Sequence, residues 1–217
     1  MQIQFKLLTS LILLFISGTI YAQSLSIVGG GNYTSVEVTS ARSDTYSSKI
    51  GFHAGAYLDY VLKKDKSNEL VIETGLLFDA KGAVQELSGV NIEYNTSLYY
   101  ADIPLYLKYR YRFRSLNKVY VGVGPYVGMG LFGTIKGTGE DYSEKETVRW
   151  GSSTGDDHFK RLDYGLSARV GFLSVGGLDF AVSYDYGLPN ISSLNDNDEM
   201  KSRMIRLSVG YHFSLVD

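Results

Sequence analysis

Ala101-Asp102-Ile103-Pro104-Leu105-Tyr106-Leu107-Lys108-Tyr109-Arg110-Tyr111-Arg112-Phe113-Arg114 is the stretch that decides how this chain folds. Every odd position is apolar or aromatic. The even positions carry charge, apart from Pro104 and Tyr106. Successive side chains of a strand point to opposite faces, so the segment has one oily face and one ionic face. A helix would spread the four basic residues around its circumference. A strand of this kind suits a wall between lipid and water.

The same alternation recurs on both sides of that run. Upstream lie Ser24 to Val36, the weakest and rich in glycine, then Ile50 to Leu62 and Glu69 to Lys81. Downstream lie Val119 to Ile135, Phe159 to Phe172, Leu178 to Leu188 and Met204 to Phe213. Each reaches the roughly 9–11 residues that a tilted strand needs to cross a bilayer. Eight such segments predict an antiparallel up-and-down transmembrane β-barrel, because a sheet in lipid must close on itself to pair its backbone. Eight strands leave an interior just wide enough for side chains to fill.

The connections carry an independent signal. Lys63–Asn68, Ser115–Lys118 and Ser174–Gly177 are short, whereas Glu37–Lys49, Gly82–Thr96, Lys136–His158 and Pro189–Arg203 are long and polar. Long and short alternate strictly, as the external loops and periplasmic turns of outer-membrane barrels do.

Bulk composition agrees. The chain has 217 residues, 24 Gly, 18 Tyr and 3 Pro, and 44% of it is hydrophobic. Mean hydropathy is −0.06, which excludes a bundle of membrane helices but not a barrel whose strands are half apolar. A net charge of −2 implies no nucleic-acid partner. The absence of Cys removes disulfides, thiolate catalysis, zinc-thiolate sites and a lipoprotein anchor.

Residues 1–22 read as a secretory signal. Lys6 supplies the basic region, Leu7 to Ile20 the apolar region, and cleavage is expected after Ala22. Residues 23–217 then form one barrel domain in a Gram-negative outer membrane. A soluble lipocalin-like barrel is the alternative, since alternation alone does not say which face looks inward. Three features favour lipid outside: eight long apolar faces exceed what one interior holds, glycine shares the other face with large charges, and the chain ends on an aromatic-rich strand.

The ordered set Gly51-Phe52-His53-Ala54-Gly55, Glu73-Thr74-Gly75-Leu76-Leu77, Tyr99-Tyr100-Ala101-Asp102-Ile103-Pro104-Leu105, Gly122-Val123-Gly124-Pro125-Tyr126, Asp163-Tyr164-Gly165-Leu166 and Tyr184-Asp185-Tyr186-Gly187-Leu188-Pro189-Asn190-Ile191 resembles the outer-membrane β-barrel family of Bacteroidetes that includes PorT-like proteins. The resemblance spans residue 24 to Phe213. It implies an integral outer-membrane protein inserted by the barrel-assembly machinery, with an envelope protein partner and a tie to type IX secretion. It also likens Phe213 to the aromatic that closes such barrels, although four residues follow it.

The ionic faces would bring together Glu69, Glu73, Asp79, Lys81, Asp102, Lys108, Arg110, Arg112, Arg114, Arg161, Asp163, Arg169, Asp179, Asp185 and Arg206. They read either as a selectivity pathway or as a salt-bridged plug, and eight strands favour the plug. Other constellations are thin. Gly29-Gly30-Gly31 and Gly122-Val123-Gly124 precede no helix that could hold phosphate. Asp156-Asp157-His158 could activate water but reads as a solvated loop. Asp196-Asn197-Asp198-Glu199 lacks full calcium-loop spacing. His53 and His212 lack ligand spacing, and Trp150 stands as a loop contact or a cover for the mouth. No catalytic residue, metal or cofactor is expected. The role expected is a non-enzymatic one, exercised through external loops, partners or structure; a type IX secretion role and a small-solute pore are the alternatives.

Overall fold

The computed structural model describes residues 23–39, 45–86, 93–139, 143–151, 157–191 and 199–215. Nine strands follow in chain order: β1 (Ser24–Thr39), β2 (Thr45–Lys64), β3 (Asn68–Glu86), β4 (Glu93–Arg112), β5 (Lys118–Thr138), β6 (Ser143–Thr147), β7 (Leu162–Leu173), β8 (Leu178–Gly187) and β9 (Glu199–Ser214). Every pairing between them is antiparallel. Eight strands close into a ring. The order is β4-β3-β2-β1-β9-β8-β7-β5, and β4 pairs with β5 to shut it. β1 and β9 are zipped from Ser24↔Ser214 to Thr39↔Glu199, so the first and last strands leave no edge.

Orientation is settled by adjacent residues. Leu105 is 48% exposed while Tyr106 beside it is 1% exposed; Leu207 is 60% exposed and Arg206 2%. Val123 and Leu166 likewise face outward, whereas Asp163 and Lys108 are buried. Apolar surface on this scale is stable only against hydrocarbon. The lipocalin arrangement, with charge outside, is thereby excluded. The outer surface also carries aromatic bands. Phe78, Tyr99 and Phe132 stack at 4.6–6.3 Å near the loop end, and Tyr211 and Phe213 pack at 4.6 Å near the turn end.

Two departures from the sequence reading matter. First, several residues expected in loops are strand. β3 and β4 stay paired up to Glu86↔Glu93, and β4 and β5 up to Glu93↔Thr138. β2 to β5 are 19–21 residues long, but β7 has 12 and β8 has 10. The ring therefore has a tall side and a low side at its loop end. Gln85, Glu86 and residues 93–97 carry polar side chains without regard to face, and hairpin pairing persists there without apolar alternation. At the other end β4 stops at Arg112, which places Arg114 in the exposed turn rather than the lumen.

Second, β6 was not foreseen. β7 pairs with β5 only as far as Met129↔Leu162. Beyond that point the tall part of β5 would present a bare edge, and β6 covers it from Thr134↔Thr147 to Thr138↔Ser143. The chain then turns inward, with Val148 N–H donating to the Gly133 carbonyl (3.0 Å), and Trp150 bridges Phe159. Phe159, expected to open the sixth barrel strand, belongs to this inward fold; the strand starts at Leu162.

Candidate functional site

The lumen is filled in layers. Nearest the short turns, Lys108 is held by Asp59 (2.9 Å) and Glu73, and Arg110 by Asp59 and by Glu69 (3.0 Å). Arg112 and Lys118 reach Glu69 at 2.7 and 3.1 Å. Arg169 donates to Asp179 (3.2 Å) and to the Tyr120 hydroxyl (3.2 Å), which itself donates to Asp179 (2.8 Å). The Arg169 guanidinium lies 4.2 Å over the Tyr57 ring.

An apolar layer follows: Val28, Tyr57, Leu77 and Tyr106, all buried in contact. Above it, Arg206 grips Asp79 bidentately at 2.8 and 2.9 Å, reaches Asp102 at 2.9 Å and pairs with Asp185. Lys81 joins Asp102 (2.8 Å) to Asp163 (3.2 Å), and Tyr126 donates to Asp163 (3.3 Å). Glycines on β5 make room for this layer. A Cβ at Gly128 would run into the Asp102 carboxylate, and one at Gly130 into the Trp150 ring.

The ionic residues proposed from the sequence are thus mostly drawn together. Glu73, Asp79, Asp102, Lys108, Arg110, Asp163, Arg169, Asp185 and Arg206 are all buried; Arg112 is partly exposed at the turn end, and Arg161 is partly exposed at the mouth. Asp59 was missed as a member although it stands in phase with His53 on β2. Tyr106, Tyr120 and Tyr126 alternate with the apolar face as the sequence has them, but that inward tyrosines fill the lumen was missed. Tyr57, Tyr100, Tyr106, Tyr120 and Tyr126 are each 4% exposed or less, so much of the tyrosine signal comes from the lumen rather than the rims.

The remaining candidates resolve as follows. His53 Nε2 meets the Ser208 hydroxyl and His212 Nδ1 the Ser26 hydroxyl, both at 2.9 Å. His158 is buried, and its Nδ1 accepts from the Arg149 N–H (3.2 Å). Asp156 and Asp196–Asp198 lie outside the described residues. Among the described residues no group of three acid, His or Cys side chains could hold a metal ion. Phe213 faces outward, opposite Leu25 of β1.

At the loop end the filling stops. The tall strands, together with the inward fold after β6, surround a cavity of about 290 Å³. Leu98, Ile135, Phe159, Ile191 and Met200 line it, with Tyr100, Lys81 and Asp163 at the end facing the upper ionic layer. Leu98, Tyr100 and Val148 form a cluster there with Ile135, Trp150 and Phe159. Sequence reading missed this space because much of its wall, including Ala83, Thr96, Ile191 and Met200, comes from segments read as loops.

One prediction follows from redundancy in the lower layer. With Arg110→Leu, Lys108 still holds Asp59, and Arg112 and Lys118 still hold Glu69. A loss of about 1–3 kcal/mol is expected in urea unfolding, the range for buried groups left partly unsatisfied. Lys145→Leu, on the exposed β6, should change stability by less than roughly 0.5 kcal/mol. Equal midpoints for the two variants would count against a packed lumen.

The chain is similar to OprG of Pseudomonas aeruginosa, with 14% identity over 89% of this chain and 97% of that one and a TM-score of 0.47. It is similar to neisserial surface protein A, with 13% identity over 88% and 97% and a TM-score of 0.41. It is similar also to Ail, the attachment invasion locus protein of Yersinia pestis, with 15% identity over 88% and 99% and a TM-score of 0.36. No curated protein matches the sequence. The family profile described as outer membrane protein beta-barrel domain matches residues 21–193. The outward apolar wall, the closed ring and that match place the protein in the outer membrane, and the chain belongs to the outer membrane protein β-barrel family.

Proposed function

We propose that this is a closed, non-enzymatic barrel that works through its loop end and the partners it meets there, not by passing solutes. Residues 1–22 act as the export signal, and the barrel-assembly machinery inserts the rest, with Phe213 on the closing strand. The observation that carries the reading is the lumen filling: two ionic layers separated by the buried layer of Val28, Tyr57, Leu77 and Tyr106. A conducting path would have to break ion pairs buried at both levels, and an ion left without its partner there is costly.

Planar-bilayer recording tests this. The reconstituted chain should show no stepwise conductance, and stable unitary openings whose ion selectivity shifts on Arg206→Ala would overturn the proposal in favour of a pore. The likeness to PorT-like sequences points to an envelope partner connected with type IX secretion. Cross-linking in native membranes, followed by identification of the captured chains, reads that out; recovery of lipid alone would remove it.

A further inference from the structure

We propose that the cavity at the loop end is a binding site for a small uncharged amphiphile, one with an aliphatic or aromatic body and a hydroxyl or carbonyl at one end. This deepens the reading that the protein works through its loop end. Below this level every layer of the lumen is filled by ion pairs, tyrosines or packed apolar groups. Here about 290 Å³ is left open, near the lower end of the size range of small-molecule sites. Its wall is built from Val36, Leu98, Ile135, Phe159, Ile191 and Met200. Leu98, Ile191 and Met200 are no more than 8% exposed, so packed side chains wall the space, which stays open toward the mouth.

Polar groups set the ligand's chemistry. Thr34 and Tyr100 both line the cavity, are 3% and 1% exposed, and carry buried hydroxyls with no hydrogen-bond partner. Such groups usually find partners, and a ligand oxygen would supply one after modest side-chain rotation. Charge argues against an anionic end. Among the described residues the lining carries one ammonium, Lys81, already held by Asp102 and Asp163. The network below joins four carboxylates, Asp79, Asp102, Asp163 and Asp185, to two cations, Lys81 and Arg206. Glu146 adds a further carboxylate to the lining, 3.8 Å from the His158 imidazole, which lines the space too. A carboxylate or phosphate head group would be desolvated beside like charge, with no unengaged ammonium or guanidinium among the described lining residues to receive it.

The single Trp of the chain reports on the site, because Trp150 meets the Tyr100 ring edge-on at 5.6 Å. With the chain in lipid vesicles, 1-hexanol should change Trp150 emission saturably. Hexanoate at pH 8 should bind at least roughly ten-fold more weakly, given the cost of burying its charge. Ala83→Phe, which fills the cavity from β3, should weaken hexanol by at least about ten-fold while circular dichroism reports a folded barrel. Ala83→Leu carries the same readout if the larger side chain prevents folding, and Thr34→Val should weaken hexanol without closing the space. The proposal is overturned by a strictly linear response in the unaltered protein. Equal binding in the folded filled variant overturns it, as does hexanoate binding as tightly as hexanol. Bilayer conductance tests the closed lumen separately, so a channel found there would leave this titration standing.

Discussion

Arg206→Leu is expected to cost about 3–5 kcal/mol of folding stability, the range for removing one partner of a buried ion pair. One guanidinium contacts three carboxylates: Nε and Nη2 take Asp79 with two parallel bonds, Nη2 also reaches Asp102, and Nη1 reaches Asp185. Asp79 and Arg206 are 0% and 2% exposed, so water does not replace the lost donors. Lys81 remains beside Asp102, but no other cation is paired with Asp185 among the described ion pairs. Arg206→Lys should recover only part of the loss, because an ammonium does not reproduce the planar fork that matches Asp79. Joining Arg206→Leu to Asp79→Leu should be milder than the single change, since it removes an orphaned charge as well as its partner. Urea titration of vesicle-inserted protein, followed by Trp150 emission, measures all three. A midpoint for Arg206→Leu equal to that of the unaltered protein would show that the upper ionic layer does not hold the barrel together.

The contrast between these residues shows how far a sequence of this kind can be read. Inside the hydrocarbon band two solvents demand two chemistries on alternate residues, so the run from Ala101 to Arg114 displays both its strand and its faces. β1 is faint for a physical reason: its inward positions are Ser24, Ser26, Val28, Gly30, Asn32 and Thr34, which leave space for arginines and tyrosines reaching in from other strands. Above the band that demand ends. Gln85–Glu86 and residues 93–97 carry polar side chains on both faces, yet they continue the β3–β4 hairpin. β6 lies deeper still in the pairing logic, because the edge it covers exists only once β7 stops short of β5. The partners within the lumen were equally hidden. Alternation says that Arg206 and Asp79 face inward, but their meeting depends on the register of β2 against both β1 and β3 and on the barrel's closure through β9. The mouth cavity needs all of these at once, as its walls come from six barrel strands, from β6 and from the inward fold after it.

A charge placed on the outer wall should reveal where the bilayer sits. Leu105→Arg is expected to cost about 2–4 kcal/mol, because the side chain points into lipid near the midplane. β4 reaches its turn end at Arg112, and a span of about eleven residues from there puts Leu105 and Leu107 near the middle of the band. Both are about half exposed in the absence of lipid, at 48% and 52%, so neither substitution disturbs the lumen directly. Leu107→Arg should therefore cost a similar amount. Tyr111→Arg, close to the turn end, should cost about 0–1 kcal/mol, since its guanidinium reaches the interface. The three variants lie on one face of one strand and differ chiefly in depth, which separates bilayer energetics from strand propensity. Denaturant unfolding from bilayers of fixed thickness gives the profile. A flat response across residues 105, 107 and 111 would mean that this wall does not face hydrocarbon. A peak at Tyr111 would shift the membrane band toward the short turns and leave the upper ionic layer outside it.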